Sequence, residues 1–174
     1  MVENIAIVGL DREQSYETAK LLASELDMHF LDTIELFEFD NIPRTLSDMI
    51  KEYGLLYFRK KEKGALKYAS EFSQTLIHCE SGMAMRKANF DNLKTNCLVI
   101  YLHNSASVVE RKIKSKKYKT IEEAKLFKIS LDQIKNRIAN LKKYSDIIVD
   151  AKNKSTLKLA SEVLRKIKEF YGVN

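Results

Sequence analysis

Tryptophan is absent from this sequence of 174 residues, proline occurs once, cysteine twice and glycine five times. So little proline and glycine excludes a collagen-like, linker-like or low-complexity chain. Cys79 and Cys97 lie 18 positions apart, outside any zinc-ligand spacing, and read as reduced thiols rather than a disulfide framework. Three dispersed histidines, His29, His78 and His103, have no i, i+4 pairing and argue against a metal centre. No stretch approaches the roughly 20 apolar residues of a membrane span. Met1 to Leu10 carries neither a basic leader nor a small-residue cleavage site, so it does not read as a signal peptide. The expected compartment is the cytoplasm, with no membrane partner.

What is present describes one globular unit. Hydrophobic residues make up 45% of the chain and charged residues 31%, enough to bury one substantial core and too little for two, so residues 1–174 are expected to form a single domain. The formal charge of +6 is concentrated, since Arg111 to Lys128 holds eight Lys or Arg against Glu122 and Glu123. This run reads as a solvated helix and loop. Without an aromatic stacking ladder it gives no support to nucleic-acid binding.

Short β-branched runs alternate with helical periodicity along the chain. Asn4–Gly9 is a buried, central strand, followed by a helix over about Gln14 to Leu26 and a second strand, His29 to Leu31, ending at Asp32. Thr45 to Ser70 reads as a long helix broken near Gly54. Thr75 to His78 and Cys97 to Leu102 are strands flanking a helix over Arg86 to Lys94. Val108 to Lys114 and Ile121 to Lys143 read as helices, Ile147 to Val149 as a last strand, and Leu157 to Tyr171 as a closing helix with its apolar face on the core. Such alternation predicts an α/β fold, a parallel sheet covered on both faces. Ligands then sit beyond the strand C-termini, which points to Gly9 to Tyr16, Asp32, His78 to Gly82 and His103. Cys79 reads as a half-buried structural thiol, and Met83 and Met85 as packing residues.

The first strand ends in Gly and runs into a helix, the setting of the phosphate-binding pattern G-x-x-x-x-G-K-[ST]. Here the span reads Gly9-Leu10-Asp11-Arg12-Glu13-Gln14-Ser15-Tyr16. Gln14 stands at the second Gly, Ser15 at the Lys, and Tyr16 at the hydroxyl residue that holds magnesium. Gln resists the positive φ that an amide nest needs, and neutral Ser15 cannot offset phosphate charge. Asp11 and Glu13 add carboxylates where phosphate oxygens would lie, and acidic groups there stabilise a helix N-terminus by roughly 0.3 to 1 kcal/mol each. The expectation is a capped helix in place of a phosphate cradle.

Together with Phe30-Leu31-Asp32, Tyr53-Gly54-x-x-x-Phe58-Arg59-x-x-Glu62, and Arg137 ahead of Asp146-Ile-Ile-Val-Asp150, this loop resembles the shikimate kinase family over nearly the whole chain. The resemblance implies a three-layer α/β/α sandwich of the P-loop kinase type, with a five-stranded parallel sheet in the order 2-3-1-4-5. It implies substrate-binding helices over 33–62 and a lid over 113–121. It also implies that Asp32 orients magnesium, that Phe58, Arg59, Gly82 and Arg137 form the substrate site, and that the two Arg hold the shikimate carboxylate. Four motifs depart from the family. Gly9, Ser15 and Tyr16 sit in the altered loop, and Ile34 replaces the second Asp of Asp-x-Asp. Glu80-Ser81-Gly82 replaces three glycines, and Lys114 to Lys119 replaces an Arg-Pro lid, leaving Lys116 and Lys117 as its phosphate-meeting candidates.

These residues support a shikimate-kinase-like protein without efficient ATP-dependent phosphotransfer that keeps a small carboxylate or anion site. ATP and magnesium enter only if kinase activity survives. One alternative is an active kinase, on shikimate or a related small molecule, that grips ATP through the lid lysines. Another is a non-enzymatic regulatory module.

Overall fold

The structure is a computed structural model and describes residues 4–37 and 46–173. Thr45, the expected start of the long helix, and 38–45 within the expected substrate-binding helices lie outside the described residues. Five strands, β1 (Asn4–Gly9), β2 (His29–Asp32), β3 (Thr75–Cys79), β4 (Cys97–His103) and β5 (Ile147–Asp150), form one sheet in the order β2-β3-β1-β4-β5. Every neighbouring pair is parallel, with β1 central as expected, and Ile7 lies level with His78 on β3 and Ile100 on β4.

The period-two alternation of β1 divides the core. Ile5 and Ile7 face one layer with Leu76 and Ile100, packed against Leu22 of α1 (Arg12–Glu25) and Leu159 and Val163 of α7 (Thr156–Tyr171). Ala6 and Val8 face the other layer with Ile77, Val99 and Tyr101. There the cover comes from α2 (Leu46–Ser70), α3 (Lys87–Lys94), α4 (Ala106–Ser115) and α6 (Leu131–Tyr144). The three-layer sandwich follows because β1, β3 and β4 are apolar on both sides.

Several local expectations need correction. The expected helix over Ile121 to Lys143 is two helices, α5 (Ile121–Phe127) and α6. The break is made by a capping box, in which Ser130 Oγ accepts from the Gln133 amide (3.2 Å) and Gln133 Oε1 accepts from the Ser130 amide (2.8 Å). Helix α1 begins at Arg12, not near Gln14, with Asp11 as N-cap. Ser81–Met85 forms an unforeseen 3-10 segment. Cys79 is fully buried rather than half-buried, and Met85 is 53% exposed rather than packed, while Met83 is buried. On α7, whose apolar face is expected on the core, Leu157 and Phe170 face solvent. The break in the long helix is where it was expected, at Gly54, whose φ of 79° and ψ of 168° suit glycine alone.

Candidate functional site

The C-terminal ends of β1, β2 and β3 converge on the start of α1. Only Leu10 and Asp11 separate β1 from that helix, and the Ser15 amide already bonds the Asp11 carbonyl at 3.0 Å. The Gln14 amide is turned to Asp11 Oδ1, at 3.5 Å. These two amides, which an open nest would aim at an anion, are spent inside the first helical turn. Gln14 reaches across the fold, its Nε2 donating to the carbonyls of Ala151 and Lys154, and its Oε1 accepting from Asn104 at 2.8 Å. It thereby ties α1 to the ends of β4 and β5.

Ser15 points into the protein. It is buried and lies 2.9 Å from His78 Nε2 and 3.1 Å from the Arg12 carbonyl. Its Cβ occupies the space in front of Gly9, where an added Cβ would come within 2.9 Å. His78 Nδ1 in turn lies 3.4 Å from Asp32 Oδ2, an electrostatic contact rather than an aligned hydrogen bond. The connectivity Ser15–His78–Asp32 is that of a nucleophile relay, but Ser15 is only 1% exposed. No external group reaches it, and the chain of contacts is a structural tie. Tyr16 closes the outside, edge-on to Phe30 and to His78 at centroid distances of 5.3 and 5.5 Å.

Sequence reasoning missed Arg12. Its Nη2 lies 2.6 Å from Asp32 Oδ2, and its Nε faces Glu80 Oε2 at 3.7 Å. The loop position that should hold the cation is neutral, and a position three residues earlier supplies one instead. The missed signal was an Arg among acidic neighbours, legible only once the helix start is known. Burial disfavours the ionised form of Asp32, yet the neighbouring His78, the Arg12 guanidinium and the Ile34 amide (2.9 Å to Oδ1) outweigh it and hold the carboxyl below its usual range. Both oxygens of Asp32 are therefore occupied by cationic or N–H partners. A magnesium ion bound there would meet the Arg12 charge, so the carboxylate as placed does not suit that ion. Among the described residues no group of three or more His, Cys, Asp or Glu side chains is placed to hold a metal.

A second, contiguous cluster holds the two expected anchors. Arg59 and Phe58 come from the second half of α2, Gly82 from the 3-10 segment, and Arg137 from α6. Phe58 is buried beneath the Arg59 guanidinium, 5.2 Å from ring centroid to Cζ. Arg59 Nη1 donates to Glu62 at 2.8 Å and crosses directly over Gly82, where an added Cβ would lie 1.9 Å from Nη1. The surviving glycine of the altered triplet is thus the one that a side chain crosses. Arg137, 5% exposed, donates to Ser81 Oγ at 2.8 Å, and Ser81 donates to Glu80 Oε1 at 2.9 Å. Burial pushes the Glu62 carboxyl up to about 7; Arg59 opposes that shift and the like charge of Glu80 adds to it. Burial also works against the charge of Arg137, which Glu80 and Glu62 support. Beside Arg137, Met85, Gln133, Asn136 and Asn140 line a cleft of about 380 Å³.

The lid lysines do not join these clusters. Lys116 and Lys117 are exposed in the link between α4 and α5, with the Lys116 ammonium over the rings of Tyr118 (6.0 Å) and Phe127 (5.8 Å). Lys112, one turn earlier on α4, is the basic-segment residue that reaches the loop, pairing with Asp11.

A five-stranded parallel sheet in this order, with its candidate residues around the β1–α1 turn, defines an α/β protein of the P-loop kinase class. A family model described as shikimate kinase matches residues 17–168, and the chain belongs to the shikimate kinase family. The shikimate kinase of Dehalococcoides mccartyi strain 195 is 27% identical over 167 residues, covering 96% of this chain and 94% of that protein. That of Alkaliphilus oremlandii is 34% identical over 114 residues, covering 66% and 67%. Among solved structures, shikimate kinase from Aquifex aeolicus superposes with a TM-score of 0.76 at 23% identity, covering 95% of this chain and 96% of that one. Shikimate kinase from Acinetobacter baumannii, in complex with shikimate, gives 0.78 at 20% identity, covering 97% and 94%. No helix of the described residues is long and apolar enough to cross a membrane.

Proposed function

We propose that this protein is a member of the shikimate kinase family that does not transfer phosphate efficiently and that binds a small carboxylate at Arg59 and Arg137. The observation that carries the first part is the β1–α1 turn. It begins helix immediately after Asp11, turns Ser15 inward onto His78, and pairs its one guanidinium with Asp32. A triphosphate arriving there finds the Gln14 and Ser15 amides spent, the carboxylates of Asp11 and Glu13, and no Lys in the first turn of the helix. Phosphoryl transfer depends on electrostatic stabilisation by such groups, and loss of a single one typically costs 10²- to 10³-fold.

The second part rests on two buried or half-buried Arg side chains that converge on one 3-10 segment, held by Glu62 and by Ser81. A planar guanidinium pair is suited to a carboxylate, and the related Acinetobacter enzyme has shikimate bound. The test is an assay of ADP formation with magnesium-ATP and shikimate. The expected rate is at least about a thousandfold below the 1–100 s⁻¹ of ordinary kinases, and turnover within that range would overturn the reading.

A second reading, an active shikimate kinase with an atypical nucleotide grip, draws on Arg12 and Lys112, two cations at the loop. Their pairing with Asp32 and Asp11 weighs against it. Calorimetry with magnesium-ATP separates the two readings, since this one requires binding at millimolar nucleotide and the first expects none.

A further inference from the structure

Helix α2 carries an apolar knob at its kink. Tyr53, Leu55, Leu56 and Tyr57 are 48%, 36%, 78% and 37% exposed, large side chains gathered around Gly54. Phe58, the next residue, is fully buried, so α2 is anchored on the core while the turn before it projects. The Tyr53 and Tyr57 rings pack on each other with centroids 4.7 Å apart. Among the described residues nothing lies within 4 Å of a Cβ added at Gly54 or Gly64, so this stretch is open and convex. Exposed apolar residues elsewhere do not gather in this way. On α7, Leu157 and Phe170 stand near opposite ends of the helix, separated by roughly 20 Å.

The charge beside the knob is nearly all of one sign. Lys51, Lys60, Lys61, Lys63 and Lys67 are exposed on the same helix, and between residues 51 and 67 only Glu52 is an exposed acid. A second copy of this chain would set these lysines against lysines. A nucleic acid would need free ring faces for stacking, whereas the Tyr57 ring is engaged by Tyr53 and by the Lys61 ammonium at 5.7 Å. A protein partner would need a groove shaped to the knob and lined with acids. An anionic bilayer needs no groove. It takes an aliphatic tip below the headgroups, tyrosines at headgroup level and lysines on acidic lipids. Such a contact needs no membrane-spanning helix, and the described residues contain none.

We propose that the kink of α2 is a peripheral membrane-docking site, in which Leu56 enters an anionic lipid surface between Tyr53 and Tyr57 and the lysines of α2 hold acidic headgroups.

The experiment is cosedimentation of the full chain with vesicles of phosphatidylcholine alone and with about 30% phosphatidylserine, on which binding is expected to be about tenfold or more tighter. Leu56→Gln, which keeps good helix propensity and the same net charge, should weaken that binding about tenfold. Lys60→Glu with Lys63→Glu should weaken it at least as much, while Lys158→Glu with Lys168→Glu, the same charge change on α7, should leave it within about threefold. Because the chain has no tryptophan, Leu56→Trp gives a single reporter, whose emission should move to shorter wavelength on the phosphatidylserine vesicles. No binding, or equal binding to both vesicles, overturns the proposal and leaves the face to an acidic protein. Binding that Leu56→Gln does not weaken, that the α7 pair weakens equally, or that leaves the reporter emission unmoved overturns it as mere adherence of a basic chain. Analytical ultracentrifugation without lipid should show a monomer; a dimer that Leu56→Gln dissociates would assign the knob to a second copy and overturn the proposal.

Discussion

At the level of single residues, the site is organised by side chains that fill or cross the space in front of glycine backbone. Arg59 crosses Gly82 so closely that a methyl group there would meet its Nη1 at 1.9 Å. Gly82→Ala should therefore push the guanidinium off Glu62 and weaken binding of cyclohex-1-ene-1-carboxylate about tenfold. The melting temperature should fall by only a few degrees, because the displaced group is the flexible end of a side chain. Unchanged affinity in that variant would separate Arg59 from the ligand. Arg59, Glu62 and Arg137 were legible in the sequence because their residue types and spacings survive. Arg12 was not, because its role comes from a helix that starts earlier than its apolar periodicity announces. His78 was legible only as one of three scattered histidines, since its partners Ser15 and Asp32 come from other elements.

At the level of elements, strands were easier to read than helix boundaries. The three central strands, β1, β3 and β4, are apolar runs buried on both faces, and that signal is local. The division between α5 and α6 depends instead on the reciprocal bonds of Ser130 and Gln133, which a continuous helical periodicity hides. Gly54 is the opposite case, a break visible in the sequence and needed by the backbone. With φ of 79° and ψ of 168°, it turns the second half of α2, which carries Phe58, Arg59 and Glu62, away from the line of the first. Gly54→Ala forces a side chain into that conformation although nothing lies within 4 Å of the added Cβ. It should cost about 1 to 3 kcal/mol in urea denaturation, purely from backbone strain. A variant as stable as the parent chain would mean that α2 can straighten there.

At the level of the whole molecule, a carboxylate buried among charges couples the site to overall stability. The Glu62 carboxyl stands at about 7 in the folded chain, against an ordinary value of 4.5. The folded state thus binds a proton more tightly than the unfolded state. Its contribution is fully present below about pH 4.5 and is lost as the pH rises through about 7. Glu62→Gln should remove this slope, which amounts to about 3 kcal/mol between those limits, and parallel stability–pH curves for the two chains would contradict it. The architecture was the most legible property of all, since layer count, strand order and the position of β1 follow from the alternation of strands and helices and the family pattern. What could not be read was which polar groups fold inward, because that is decided by contacts between β2, β3 and α1 that lie far apart in sequence.

The inward turn of Ser15 also bears on how such a protein could change over time. A lysine restored at that position by one substitution would have its root wedged against Gly9 and an ammonium group arriving where His78 and Arg12 already balance Asp32. On the proposed reading, the road back to phosphoryl chemistry needs several replacements to arrive together, each of little benefit without the others, and the present arrangement is easier to keep than to leave.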